Sequence, residues 1–251
     1  MKNNFYNKNS YINLYEKPSY KSKISSQVIY GEKFKILSKI KNFYKVRILY
    51  DNYVGFINKK IKIDRKFKPT HKIKVLKSRI YFGLENRQKK VLNEWLPFGS
   101  DLQIIKKEKN YVMFEKNKWI KSNEISSLFN KNVNFVKIFK LFINSPYKWG
   151  GKTYKGIDCS ALIQIFYKYN NIFFPRDTID QVKQKKGIGK KTKFRKGDII
   201  FWKGHVAVCI DSKKLIHAYG PKKKVVIMPI KKTIRIIEKT ANLKVKKIFY
   251  I

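Results

Sequence analysis

The stretch GIDCSALIQIF, Gly156 to Phe166, sets a cysteine directly behind an aspartate, where an apolar periodic segment begins. Asp158 is a good N-cap residue, because its carboxylate can accept from the N–H of the second or third helical residue. Cys159 then falls in the first turn, where the positive end of the helix dipole is expected to favour a thiolate and lower its pKa. Acyl transfer needs more than a thiolate: a base or imidazolium partner and an oxyanion site. Three histidines are available. His71 lies in a polar joint and looks incidental. His205 and His217 frame one hairpin, GHVAVCIDSKKLIHAY, with DSKK as its turn. In its first strand Val206, Val208 and Ile210 alternate with His205, Ala207 and Cys209, so His205 is off the fully aliphatic face and free to meet a helix end. His217, on the neighbouring strand, can orient the ring of His205, which is cysteine–base–orienter logic. The spacing alone leaves a second reading open: a structural thiol at the start of a core helix, with two ordinary core or surface histidines. Cys209 reads as a packing residue.

The elements that would position these groups form an α+β region beginning near Asn130. FVKIFKLFIN has helical spacing, and SPYKWGG breaks it. Leu162, Ile163, Ile165, Phe166 and Tyr169 recur at i, i+1, i+3, i+4 and i+7, which predicts an amphipathic helix. GDIIFW, HVAVCID, KLIHAY, KVVIMPI and KVKKIFYI then predict an antiparallel sheet after the helix. Residues 11–66 read as all-β, with YGEK, KIKN and YDN as breaks, and about five strands predict a small barrel. A similar order returns from His71: SRIYFGLE, then LPFGSDLQIIKKEKNYVMFEKNKWIKSNEI, giving a second copy that ends near Phe129. DRKFKPTHK is the expected joint.

Composition narrows the classes further. The formal charge is +43, from 59 Lys+Arg against 16 Asp+Glu, a field that attracts polyanions or multiply carboxylated substrates. The lysines are spread evenly, and Lys, Ile, Asn, Tyr and Phe are abundant together, so drift of composition is the plainer source of that charge, with its consequence for partners left open. No RNP, zinc-knuckle or helix-turn-helix pattern supports specific nucleic-acid binding. Two cysteines and no CxxC pair argue against disulfide stapling and zinc. No apolar run has the length of a membrane span. The N-terminal MKNNFYNKNSYINLYEK lacks the apolar stretch of a secretory signal, so a cytoplasmic location is expected.

With these residues in hand, the third region resembles the NlpC/P60 cysteine peptidases. PYKWGGKTYKGIDCSALIQIFYK is similar to the family's Y-x-W-G-G…D-C-S-[GA]-L block and FPRDTIDQ to its L-P-R-x-[ST]-x-x-Q block. FRKGDIIFW, GHVAVCI and LIHA are similar to the three strand blocks that follow. Arg195 and Lys196 depart from the usual residues before Gly197, at surface-turn positions. The resemblance implies a papain-like catalytic domain over 129–251, with Cys159 as nucleophile, His205 as base and then acid, and His217 as the third polar residue. Tyr147 would lie near the oxyanion, with Gly150 and Gly151 allowing a backbone turn close to substrate. It implies no metal or cofactor.

The β modules, over 10–66 and 67–128, resemble bacterial SH3-like domains. Members of the family with this domain order include γ-D-glutamyl-L-diamino acid endopeptidases, which cut free cell-wall stem peptides with an unblocked N-terminal L-Ala. On that resemblance Asp158 would contact the free amine, Ser160 and Thr178 would line the pocket, and Glu32 and Tyr53 of the first module would join them. The expected partner is a murein stem peptide in a recycling role. The alternatives are hydrolysis of intact peptidoglycan at the wall and non-enzymatic binding of wall or polyanion. Nothing in the sequence fixes the oligomeric state.

Overall fold

The computed structural model describes residues 4–83 and 90–251. Leu84 and Glu85, the end of SRIYFGLE, and Met1–Asn3 of the N-terminal stretch lie outside the described residues. The chain divides into two compact units. One is built from residues up to Asn132 together with Tyr169–Asn171; the other comprises Val133–Lys168 and Ile172–Ile251.

The first unit opens with β1 (Asn4–Asn7), β2 (Tyr11–Tyr15), β3 (Ile24–Ile29), β4 (Lys33–Ile40), β5 (Phe43–Ile48), β6 (Val54–Asn58) and β7 (Ile63–Asp64). They form one sheet in the order β3-β2-β6-β5-β4-β1-β7. The sheet therefore takes in Asn4–Asn7, ahead of residue 10, because β1 supplies the antiparallel partner of both β4 and β7. Alternate residues turn inward: Phe5, Leu14, Val28, Phe34, Val46, Ile48 and Ile57 make its buried cluster. The expected turns at YGEK, KIKN and YDN carry residues in the left-handed region, Gly31 (φ 77°), Lys41 (φ 47°) and Asn52 (φ 60°). At Gly31 only a glycine fits, since a Cβ would come 2.2 Å from the carbonyl oxygen of Asp101.

The second module comprises β8 (His71–Ile73), β9 (Lys77–Phe82), β10 (Lys90–Pro97), β11 (Asp101–Leu102), β12 (Lys106–Glu108), β13 (Tyr111–Glu115), β14 (Lys118–Lys121) and β15 (Ile125–Ser127). Its strands divide between two sheets, β10-β9-β14-β13-β12 and β11-β8-β15, so it differs in sheet order from the first module. DRKFKPTHK is packed rather than loose. Phe67 is buried in the second module's cluster beside Tyr30 of the first, and the Lys8 ammonium sits 4.3 Å from the Phe67 ring centroid. Glu115 ties this seam. Its Oε1 accepts from Tyr30 OH at 2.8 Å and lies 3.1 Å from Lys8 Nζ, and its Oε2 lies 3.0 Å from Lys118 Nζ.

The second unit contains α1 (Phe135–Leu141), β16 (Lys152–Thr153), β17 (Gly156–Ile157), α2 (Cys159–Tyr169) up to Lys168, α3 (Thr178–Gln181), β18 (Asp198–Trp202), β19 (His205–Cys209), β20 (Lys214–Tyr219), β21 (Lys224–Pro229), α4 (Ile230–Ala241) and β22 (Lys247–Tyr250). The last five strands form an antiparallel sheet in the order β21-β20-β19-β18-β22. Helix α4 is absent from the sequence reading, although Ile230, Thr233 and Ile237 already mark one helical face and are the residues it buries. Ile230 and Ile237 close over Ala207, Cys209 and Leu215 of the sheet. Cys209, fully buried there, packs as a small apolar side chain. Among the described residues no helix is long and apolar enough to cross a membrane.

Candidate active site

Helix α2 starts at Cys159, and the residue before it holds the start in place. Asp158 Oδ1 accepts from the backbone N–H of Ala161 at 2.8 Å, the third helical position, which is the N-cap bond its residue type favours. The same oxygen accepts from Ser160 Oγ at 3.1 Å and Arg176 Nη1 at 3.0 Å. Oδ2 accepts from the Gly150 N–H at 2.9 Å and Arg176 Nη2 at 2.6 Å. Arg176 Nη1 also donates to Ser160 Oγ at 2.8 Å. Five donors thus meet a carboxylate with about four lone pairs. A second role for Asp158, ligating a substrate amine, would have to displace one of them.

Arg176 is the residue that sequence reasoning missed. It stood inside the FPRDTIDQ block without an assigned role, yet its guanidinium is buried and bidentate on Asp158. The available signal was an arginine between Pro175 and Asp177 in a segment with few other cations. Gln181, from the same block, is also buried, and its Nε2 donates to the carbonyls of Ser160 and Pro175 at 2.9 Å each. Thr178 is half-buried at the first position of α3, two residues beyond Arg176.

The Cys159 sulfur lies 4.0 Å from the Gly204 carbonyl oxygen and faces the backbone N–H of Val206, so it touches the chain on both sides of His205. His205 Nε2 is 2.9 Å from His217 Nδ1, and His217 Nε2 is 3.4 Å from Met228 Sδ. These contacts assign the tautomers. A thioether can only accept, so His217 carries its proton on Nε2 and accepts through Nδ1. His205 must then donate from Nε2, which leaves its Nδ1 as the free base. Nδ1 is the ring nitrogen nearer the backbone that the sulfur touches. Tyr219 stacks on His217, with ring centroids 4.6 Å apart and planes at 10°, and Trp202 lies against His205 at 5.5 Å.

Burial decides the resting protonation. It pushes the Cys159 thiol up to about 12, and the Asp158 charge adds to this. The N–H groups of Val206 and Ser160 and the Arg176 charge oppose both without overcoming them. The lowered pKa expected at the helix N-terminus is thus opposed by burial, which raises the Cys159 thiol more than the facing N–H groups and Arg176 lower it. Burial lowers His205 to about 4 and, with the neighbouring His205, lowers His217 to about 2. The resting pair is a neutral thiol and a neutral imidazole, a base that can take the proton as sulfur attacks. Tyr147 is half-buried, and burial first, with the neighbouring Asp158 carboxylate, raises its pKa, which keeps its hydroxyl protonated as a donor.

The structure thus gathers Tyr147, Asp158, Cys159 and Ser160 around the start of α2, and sets His205 and His217 on the adjoining strands. Glu32 and Tyr53 belong to the first unit. Glu32 is buried, and its Oε2 accepts from the Ile29 N–H at 2.8 Å, bracing the turn between β3 and β4. Tyr53 is partly buried against the first module's cluster. Among the described residues no group of three His, Cys, Asp or Glu side chains could hold a metal ion.

Comparison with known proteins completes the picture. Residues 144–240 match the NlpC/P60 family, and residues 14–60 match the bacterial dipeptidyl-peptidase SH3 domain. The chain is 24% identical to the γ-D-glutamyl-L-lysine dipeptidyl-peptidase of Bacillus subtilis, over 84% of this chain and 77% of that one. It is 23% identical to dipeptidyl-peptidase 6 of Lysinibacillus sphaericus, over 82% and 84%. An NlpC/P60 family protein from Bacillus cereus superposes with a TM-score of 0.78 at 18% identity, covering 90% of this chain and 94% of the other, a likeness that carries the fold.

Proposed function

We propose that this cysteine peptidase, whose residues 144–240 form an NlpC/P60 domain, hydrolyses the γ-D-glutamyl–L-diamino acid bond of free cell-wall stem peptides. The observation that carries the reading is the hydrogen-bonded chain His205–His217–Met228, with Cys159 Sγ set against the Gly204 carbonyl, the residue before His205. In the proposed mechanism Sγ attacks the γ-carbonyl carbon while His205 Nδ1 takes the thiol proton. The developing oxyanion is met by the N–H groups at the start of α2 and by the hydroxyl of Tyr147. His205 then protonates the leaving amine, and the C–N bond breaks to give a thioester. Water, deprotonated by His205, hydrolyses the thioester and returns the thiol. His217 fixes the tautomer of His205 throughout.

The names of the relatives support the bond assignment, and a dipeptidyl-peptidase counts its cut from the amino end of its substrate. We assign Asp158 first as cap and anchor. A substrate ammonium reaches it by displacing the Ser160 hydroxyl, which makes the longest of its five contacts. Substrate-binding roles for Glu32, Tyr53 and Thr178 are proposed on the resemblance alone. Recycling of free peptides in the cytoplasm is the role that fits a required free amine. The test is cleavage, followed by mass spectrometry, of L-Ala-γ-D-Glu-diaminopimelate and its N-acetylated form. Cleavage of the free peptide alone supports the proposal. Equal cleavage of both removes the amine requirement and favours hydrolysis of intact wall.

A further inference from the structure

Trp149 is 62% exposed, whereas Trp119 and Trp202 are almost fully buried. A single exposed apolar side chain carries little meaning by itself. The mount of this one is unusual. Gly151 N–H donates to the Lys148 carbonyl at 2.9 Å, closing a turn with Trp149 and Gly150 at its centre. Gly150 has φ 72°, the conformation that a type II turn requires at that position. The turn is clamped to the residues ahead of Cys159 by three bonds: Lys148 N–H to the Ile157 carbonyl at 3.3 Å, Asp158 N–H to the Gly151 carbonyl at 3.4 Å, and Gly150 N–H to Asp158 Oδ2 at 2.9 Å. A large indole is thus held out to solvent on a rigid backbone fastened to the N-cap of the nucleophile's helix. A rigid aromatic anchor of this kind gives contact area with little rotamer freedom to lose.

We propose that Trp149 is a substrate-binding residue that receives the side chain of the diamino acid, methylene stem and terminal ammonium together. This rests on the substrate class assigned above. The negative face of the indole disfavours the carboxylates of such a peptide and attracts a cation. The diamino side chain is the part of the substrate that combines a hydrocarbon stem with a cationic end. In a protein of charge +43, a neutral ring binds an ammonium without needing one of the 16 carboxylates.

Two measurements test this. In the first, L-Ala-γ-D-Glu-L-Lys and L-Ala-γ-D-Glu-L-Ala are assayed with the parent protein, Trp149→Ala and Trp149→Phe. The kcat/KM preference for the lysine peptide should fall about 5- to 20-fold in Trp149→Ala, mainly through KM, and recover in Trp149→Phe. In the second, acrylamide quenching of indole fluorescence is followed in Cys159→Ala, using a neutral quencher that the protein's charge cannot concentrate. The lysine peptide should protect against quenching and the dipeptide L-Ala-γ-D-Glu should not. An unchanged preference in Trp149→Ala, or equal protection by the dipeptide, overturns the assignment while leaving the bond specificity standing. Failure of the parent protein to cleave these two peptides and L-Ala-γ-D-Glu-diaminopimelate alike overturns the substrate class, and this assignment falls with it.

Discussion

Replacing Arg176 with methionine tests whether the start of α2 is held by charge pairing. The change removes two bonds to Asp158, at 2.6 and 3.0 Å, and one to Ser160 at 2.8 Å, while keeping much of the side-chain volume. Asp158 keeps the N–H groups of Gly150 and Ala161 and the Ser160 hydroxyl, but it becomes a buried carboxylate without a counter-charge. Breaking a buried pair from one side costs about 3–5 kcal/mol. In a chain of this size that is a fall in Tm of roughly 10 °C. The double change Asp158→Asn with Arg176→Met removes the stranded charge, so it should cost less than the sum of the two single changes by about 2 kcal/mol. Urea denaturation of the four proteins, read as midpoint and slope, gives the coupling directly. A cost below about 1 kcal/mol for Arg176→Met, or strict additivity in the double variant, would refute the argument.

Three further outcomes follow from the same geometry. His217 has a folded pKa depressed from 6.5 to about 2, so its contribution to stability is full above 6.5 and is lost as pH falls. Between pH 7 and pH 5 this amounts to about 2 kcal/mol, and His217→Asn should show that much less loss over the interval in denaturant titrations. Because burial holds Cys159 as a thiol, with a pKa near 12, alkylation by iodoacetamide should be slow at pH 7 and accelerate steadily above pH 9. Fast alkylation at pH 6 would instead reveal a preformed thiolate. Gly31→Ala should destabilise the first unit by at least about 2 kcal/mol in thermal melts, since its Cβ would meet the Asp101 carbonyl oxygen at 2.2 Å from a left-handed backbone.

What the sequence made legible was local. The spacing of Leu162, Ile163, Ile165, Phe166 and Tyr169 marks α2, and the alternation through His205–Cys209 marks β19, because each pattern is written in consecutive residues. Asp158 was readable as a cap for the same reason. Arg176 was not: its partner is 18 positions away, and an arginine shows no sign in sequence of being buried. The effect of burial on the Cys159 pKa was not legible, because a helix dipole can be read from position, whereas desolvation depends on the whole surrounding fold. The division of the second module between two sheets depends on pairings such as β8 with β15, which similar strand-and-turn grammar does not specify. The roles proposed for Glu32, Tyr53 and Thr178 rest on resemblance, and their local contacts neither require nor oppose them.

The few carboxylates of this chain also set how it responds to its medium. Asp158 is spent on Arg176, Asp198 on Lys191, and Glu115 on Lys8 and Lys118. With 59 cationic side chains against 16 acids, the remaining surface positive charge is answered mainly by ions from solution. Small anions are then a diffuse, exchangeable part of the folded state. Dilute buffer would strip them and let the molecule repel itself, whereas ordinary salt, with a screening length of about 8 Å, would steady it.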